Sequence, residues 1–482
     1  MPTTTVIMRR CASHQRMRRK KRENKLHYPH SAFFVPSSAS PHAGRPRPTP
    51  EASLLLPHRA TQLPNGLRVI TVEQPHLHSA SVSLFVKCGS RHESAEHWGL
   101  THLVEHMLFR GCDEFPTGQA LAREFERAGG HLNAATWRDH TSLSTPCHPR
   151  HIEAVLSALG NMVQHPRLEG LAIERRIIEE EILGDLDEDG QDTDPHNISR
   201  AAIWRGHPMG RRITGSCESI GAFSREDILQ HQRAHYVGAN AVLCIAGRVD
   251  ASAVENMAHA YFGAMPSGRT AEDGATAVFA PDERLTAKYH PGAQVAVQLT
   301  FEGLAMGDAD FGGLVVLTRI LDDGIGSRLQ QAVCERAGLV YELSTGLDCY
   351  NDCGLYDIEL KAAPEGAAKA IDASLRTLAS LCDRGVSTEE LELARERSLQ
   401  DIEFSIDSCD DIVEQYGTSA LLSYPETLDS EAERLRGVTP EEVARVAQRI
   451  FTGGKLHGTL VGPLQRVPLD QIHAQLEDFD KR

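Results

Sequence analysis

His102, Glu105 and His106 stand at a spacing that could do metal chemistry. Two histidines four residues apart share one face of a helix, one turn above the other, so both imidazoles can reach a single Zn²⁺. Glu105, three after the first histidine, falls beside such a metal, where its carboxylate can take a proton from metal-activated water. The helix itself is written in Gly99 to Gly111: Leu100, Leu103, Val104, Met107 and Leu108 recur at i, i+3, i+4, i+7 and i+8, and Gly111 ends the run. In a chain with 24 histidines, H-x-x-E-H arises by chance roughly 0.08 times. A metal site therefore needs a third ligand before it stands apart from a helix whose exposed histidines merely share the spacing.

Residues 171–183 offer candidates for it. On a helix Glu174, Ile178 and Glu181 fall along one side, so one carboxylate can reach a metal while another stands behind it. The competing reading of this stretch is a solvated acidic face.

These residues need elements to position them. The alternating stretches 67–72 and 80–86 read as strands, the second with Ala80, Val82, Leu84 and Val86 on one face. Helical patterns follow at 99–110, 118–128, 151–162, 171–184 and 224–235, then a buried strand at 241–247 and a helix at 252–261. A Pro/Gly/Thr/Ala-rich stretch, 265–277, reads as a linker. Beyond it the order partly repeats: a strand at 295–301, helices at 311–321 and 327–336, a strand at 356–361, and long helices at 367–381 and 388–404. Two halves of similar order suggest a duplicated α+β unit. The expected division is an extension at 1–60, a first domain at 61–264, the linker, a second domain at 278–470 and a tail at 471–482.

Composition narrows the function classes. A chain of 482 residues with 41% hydrophobic and 24% charged content is globular. It has no apolar run near the roughly 18 residues of a membrane helix. Eleven scattered cysteines do not read as a disulfide framework, which favours a reducing, intracellular setting. Residues 1–59 hold 12 of the 50 Lys and Arg but two acids, a net +10, leaving 38 basic against 64 acidic residues, or −26, in the body. So acidic a body argues against nucleic acid and attracts basic ligands. The basic, Pro-rich tail has the composition of a disordered segment and lacks the apolar stretch of a secretory signal. It resembles a mitochondrial transit peptide in part, although its prolines oppose an amphipathic helix. Cytoplasm is the expected location, and the mitochondrial matrix the alternative.

From about Leu63 to Leu464 the chain resembles the M16 (pitrilysin/insulinase) metallopeptidases, and in layout the branch that holds the mitochondrial processing peptidase β subunit and its bacterial relatives. His102-Leu103-Val104-Glu105-His106 fits the family's inverted zinc motif, and residues 174–182 resemble its distal segment. The resemblance makes Glu181 the third zinc ligand and Glu174 the supporting acid, with Glu180 the rival one residue away. Further matches are residues 128–134 with Thr136 and 139–141, Asp194-Pro195, 207–210 with Gly215, and 235–240.

The resemblance implies two α+β domains of the LuxS/MPP-like type, each an antiparallel-rich sheet packed with helices. It also implies one Zn²⁺ per chain, with Glu105 as general base of a peptide hydrolysis. It places Asn133 and Ala134 on a sheet edge to which peptide adds as a strand. It further implies a chamber of four domains, hence a homodimer or a heterodimer with an inactive M16 paralogue, and unfolded peptide substrates, with basic ones favoured by the charge of the body. In the second half Ser327-Arg328-Leu329 and Gly338-Leu339-Val340-Tyr341 match, with Tyr341 expected to stabilise the oxyanion. One departure stands out: seven residues before Tyr341, where the family commonly has Arg, this chain has Cys334. Arg328 and Arg336 are the candidate substitutes, and Cys334 reads as a structural residue, as do Cys349 and Cys353. His131, His140, His207 and His235 read as loop or packing histidines. Two other functions remain in view, a non-catalytic assembly or peptide-binding subunit and a hydrolase of another substrate using the same metal.

Overall fold

A computed structural model describes residues 56–481 except 423, 425 and 426. The expectations for the basic tail before residue 56 lie outside the described residues. The first element, β1 (His58–Gln62), starts three residues before the expected boundary. It is followed by β2 (Arg68–Glu73), β3 (Ala80–Val86), α1 (Leu100–Leu108), α2 (Gly118–Arg127), β4 (Asn133–Thr136), β5 (Thr141–Cys147), α3 (Ile152–Gln164), α4 (Leu171–Leu183), α5 (Pro195–Ile203), α6 (Cys217–Ala222), α7 (Arg225–His235), β6 (Ala241–Gly247) and α8 (Ala251–Phe262). The second half holds β7 (Leu285–Tyr289), β8 (Val295–Glu302), α9 (Phe311–Leu321), β9 (Val340–Cys349), β10 (Gly354–Ala362), α10 (Ala367–Arg384), α11 (Thr388–Ser405), α12 (Cys409–Leu421), α13 (Leu428–Gly437), α14 (Pro440–Phe451), β11 (Leu456–Gly462) and α15 (Leu469–Asp480). The helix expected at 327–336 is a π-helical turn, Gln330–Glu335.

The sheets run β1-β2-β6-β3-β5-β4 and β7-β11-β8-β10-β9. Apart from β1 their pairing is the same. In each the first strand lies parallel to the last, and the remaining pairs are antiparallel. The repeated order read from the sequence is thus a repeated topology, two mixed α+β units with antiparallel-rich sheets. No helix among the described residues is long and apolar enough to cross a membrane.

Strand β3 departs from its half-buried pattern, because Ser81, Ser83 and Phe85 are as buried as Ala80, Val82 and Leu84. The even face packs on the first half's own helices. The odd face is covered by α12, which comes from the other half. Gly417 of α12 lies directly on the Phe85 ring, and the small serines leave room for its backbone. The exchange is reciprocal. Helix α5 of the first half packs on β8 and β11, where Gln298, Thr300 and Asp357 make a polar second face. There Ser199 Oγ meets Thr300 Oγ1 at 2.8 Å. The fully buried Arg200 donates to Asp357 Oδ1 at 3.0 Å and to Asp348 Oδ2 at 2.7 Å.

Residues 265–277 carry no helix or strand, and they are pinned. Ala271 N donates to Asn240 Oδ1, and Asp273 pairs with Lys87 and His92. Arg91 ties this segment to the second half, donating to the Asp273 carbonyl and forking onto Asp352.

Candidate metal centre

Helix α1 begins where Gly99 (φ 90°) passes Gly215 so closely that a Cβ would come within 2.6 Å of the Gly215 Cα. Both the left-handed backbone and the close approach call for glycine. The first turn is capped from outside the helix: Glu93 accepts from Gly99 N at 2.9 Å and from Thr101 N at 2.7 Å. A carboxylate at a helix N-terminus satisfies orphan N–H groups and complements the dipole. Burial pushes the Glu93 carboxyl up to about 7 despite those bonds.

So fixed, α1 buries its apolar stripe and presents His102 and His106 to α4, their ring centroids 4.6 Å apart. Helix α4 returns Glu181, whose Oε2 stands 3.9 Å from both His102 Nε2 and His106 Nε2. One donor atom from each of the three residues lies within 4.8 Å of the others. The rival Glu180 is exposed on the next position of the helix. Donors around a tetrahedral Zn²⁺ stand roughly 3.3 Å apart, so the two 3.9 Å separations from Glu181 exceed that by about half an ångström. Two imidazoles and a carboxylate are donor types that zinc takes.

Glu174, two turns earlier on α4, is 8% exposed and stands behind the site. Its Oε2 lies 3.0 Å from His106 Nδ1 and its Oε1 pairs with Arg110 Nε at 2.6 Å. The bond assigns the proton to Nδ1 and leaves the Nε2 lone pair facing Glu181. Burial acts to lower the His106 pKa, but the bond to Glu174 and the charges of Glu105, Glu174 and Glu181 together raise it above the usual value. Glu105 is buried on α1, and its Oε2 accepts a 2.5 Å hydrogen bond from Thr136 Oγ1 of β4. β4 is the outermost strand of its sheet, paired only with β5 among the described residues. It carries Asn133 and Ala134, so its free edge runs past the strand position that holds the Glu105 carboxylate.

Tyr341 is not part of this arrangement within one chain. It is the second residue of β9, the outermost strand of the second sheet, and is 98% exposed. Cys334 lies half-buried in the π-helical turn, its thiol pushed up by burial and by Asp322 and Glu335. Arg328, a candidate substitute for the missing arginine, is engaged by Glu390.

Sequence reasoning did not find Glu93 or Arg110, and it noted Thr136 without a role. Glu93 sits seven residues before the first residue of the helix it caps, and Thr136 reaches Glu105 only because β4 folds beneath α1. Neither relation has a local spacing that could announce it.

Comparison with known proteins gives the fold a lineage. Two family models match, "Insulinase (Peptidase family M16)" over residues 68–216 and "Peptidase M16 inactive domain" over residues 222–398. The first contains His102, His106 and Glu181. A zinc protease of Bacillus subtilis that carries no further characterisation is 28% identical over 394 residues, 80% of this chain and 94% of that protein. The mitochondrial-processing peptidase subunit β of Caenorhabditis elegans is 27% identical over 435 residues, 86% of this chain and 92% of that one. Among solved structures, a peptidase M16 inactive domain from Pseudomonas fluorescens superposes with a TM-score of 0.78 at 21% identity, over 85% of this chain and 98% of that one.

Proposed function

The chain belongs to peptidase family M16, the insulinase family, and on that premise we propose that it is a zinc-dependent endopeptidase acting on peptides and unfolded protein segments. The observation that carries the reading is the convergence of His102, His106 and Glu181 from two helices, with the Glu105 carboxylate on the same helix face. In this reading those three residues hold one Zn²⁺, and Glu174 fixes the ring of His106 for it. A bound zinc supplies Lewis acidity, easing deprotonation of a water and polarising the scissile carbonyl. Glu105, held by Thr136, takes the proton of the attacking water and passes it to the leaving amine. The substrate lies as an added strand along β4 at Asn133 and Ala134, where main-chain hydrogen bonds give affinity without demanding a sequence. The net charge of −26 in the body favours basic peptides.

Tyr341, 98% exposed in its own chain, serves in this reading as a hydrogen-bond donor delivered to the oxyanion by a second copy or by an inactive M16 paralogue. Cys334 supports a second reading, a subunit that binds peptide without cutting it, because a thiol cannot supply the cationic stabilisation of an arginine.

The test is zinc content together with cleavage of a quenched fluorescent peptide mixture, with and without chelator, on a species shown by sedimentation to hold two chains. About one zinc at this site and chelator-sensitive cleavage are expected. Glu105→Gln should keep its zinc and lose activity by a factor of about 10²–10⁴. Cleavage that survives in Glu105→Gln removes the base assignment, and zinc without cleavage in the wild type favours the binding subunit.

A further inference from the structure

Two other groups of potential ligands stand among the described residues. One, His196 with Asp348 and Asp357, already surrounds the Arg200 guanidinium, which supplies the cation that the carboxylates need. The other is Cys88, His231 and His235, and among the described residues no Lys or Arg side chain hydrogen-bonds or ion-pairs with it.

Cys88 follows β3 in the turn that leads to Glu93, and it is fully buried. His231 and His235 are four apart on α7, so they share a face, with ring centroids 4.6 Å apart. That face packs on α1. Cys88 Sγ lies 3.4 Å from His231 Nε2, and one donor atom from each of the three residues is within 4.8 Å of the others. With Zn–S near 2.3 Å and Zn–N near 2.0–2.1 Å, sulfur and nitrogen ligands on one tetrahedral zinc stand roughly 3.5 Å apart. The Cys88–His231 separation already has that value. Thr101 Oγ1 stands 3.2 Å from His231 Nε2 and 3.8 Å from Cys88 Sγ, placed to donate to a thiolate rather than to ligate.

We propose that Cys88, His231 and His235 form a second metal site, for Zn²⁺ or another thiophilic cation, separate from the His102–His106–Glu181 cluster. One thiolate and two imidazoles select borderline-soft metals over Mg²⁺ or Ca²⁺. A metal there joins the turn after β3 to α7, and through Thr101 it buttresses α1 one residue before His102. Burial of Cys88 suits a structural ion more than a catalytic one, with water as the fourth ligand on the partly exposed His235 side.

The two clusters differ in one ligand that can be seen. Only the second contains sulfur, so cobalt bound there gives a thiolate-to-metal charge-transfer band in the near ultraviolet, and cobalt at the first cluster does not. The full-length protein, stripped of metal and titrated with Co²⁺, should take up two ions per chain and show that band. His102→Ala/His106→Ala should keep one ion and the band. Cys88→Ser should keep one ion and lose the band, and His235→Gln should weaken the second site at least tenfold. The wild-type spectrum needs no variant to fold. Absence of the band from wild type at saturating cobalt, or its survival in Cys88→Ser, overturns the proposal.

Discussion

Replacing Glu174 separates the act of holding zinc from the act of orienting its ligand. In the folded chain this carboxylate is 8% exposed and serves two cationic or proton-bearing partners, His106 Nδ1 at 3.0 Å and Arg110 Nε at 2.6 Å. Hydrogen bonds to a charged group contribute about 1.5–3 kcal/mol against about 0.5–1.5 for a neutral pair. Glu174→Gln keeps an oxygen for one partner and turns an NH₂ toward the other, so about 1–1.5 kcal/mol of orienting energy is lost, close to a tenfold weaker Kd for zinc. Glu174→Ala removes both bonds and leaves the partly buried Arg110 without its counter-charge. The expected loss grows to about 2–3 kcal/mol, roughly 30- to 150-fold. Glu181→Gln, which strikes a proposed ligand itself, should cost more than either. Competition against a chromophoric chelator at neutral pH reads these affinities without reference to catalysis. A Glu174→Ala protein within about twofold of wild type, or Glu174→Gln weaker than Glu174→Ala, would refute the orienting role.

Two further outcomes are expected of the surrounding scaffold. Arg200→Met leaves Asp348 and Asp357 charged beneath α5 and should destabilise the protein by about 3–5 kcal/mol in urea unfolding, whereas a cost under about 1 kcal/mol means that the interlock of the halves does not rest on this network. The hydrogen bond and charge of Arg328 hold the Glu390 carboxyl down to about 2, below its ordinary 4.5. A depressed carboxylate stabilises the fold above its unfolded pKa, and the benefit drains away as pH falls from about 4.5 toward 2. Since the pair is partly exposed, the effect is discounted to about 1 kcal/mol. Glu390→Gln should therefore trail wild type at pH 7 and match it near pH 2, and a gap that stays constant with pH contradicts the assignment.

How much of this was legible in the chain itself follows the range of the interactions. The α1 motif was fully legible, because a helix converts four residues of separation into one face, and Glu174 and Glu181 were legible as a pair for the same reason. Strand β6 and helix α9 have the bounds that their apolar runs announce. The face of β3 that carries Ser81, Ser83 and Phe85 was not legible, since its cover, α12, lies more than 300 residues further along the chain. The same holds for the polar face of β8 and β10, which waits for Arg200.

The sequence by itself determined the chemistry available to the proposed metal site: which donors exist, which helix faces they share, and where the proposed base, Glu105, stands relative to them. Family likeness, itself carried by residues, added the pairing of those two helices. Only the tertiary structure decided that Glu181 rather than Glu180 turns toward both imidazoles. Only it decided that Thr136 holds Glu105, that Glu93 caps the helix, and that Tyr341 stands almost fully exposed. His235 is the clearest case, since its sequence shows a packing histidine and its surroundings show a neighbour of Cys88. Spacing along a helix or strand is a local property that the chain encodes directly, whereas these contacts join segments separated by up to about 150 residues, and they exist only once both sheets have closed over their helices.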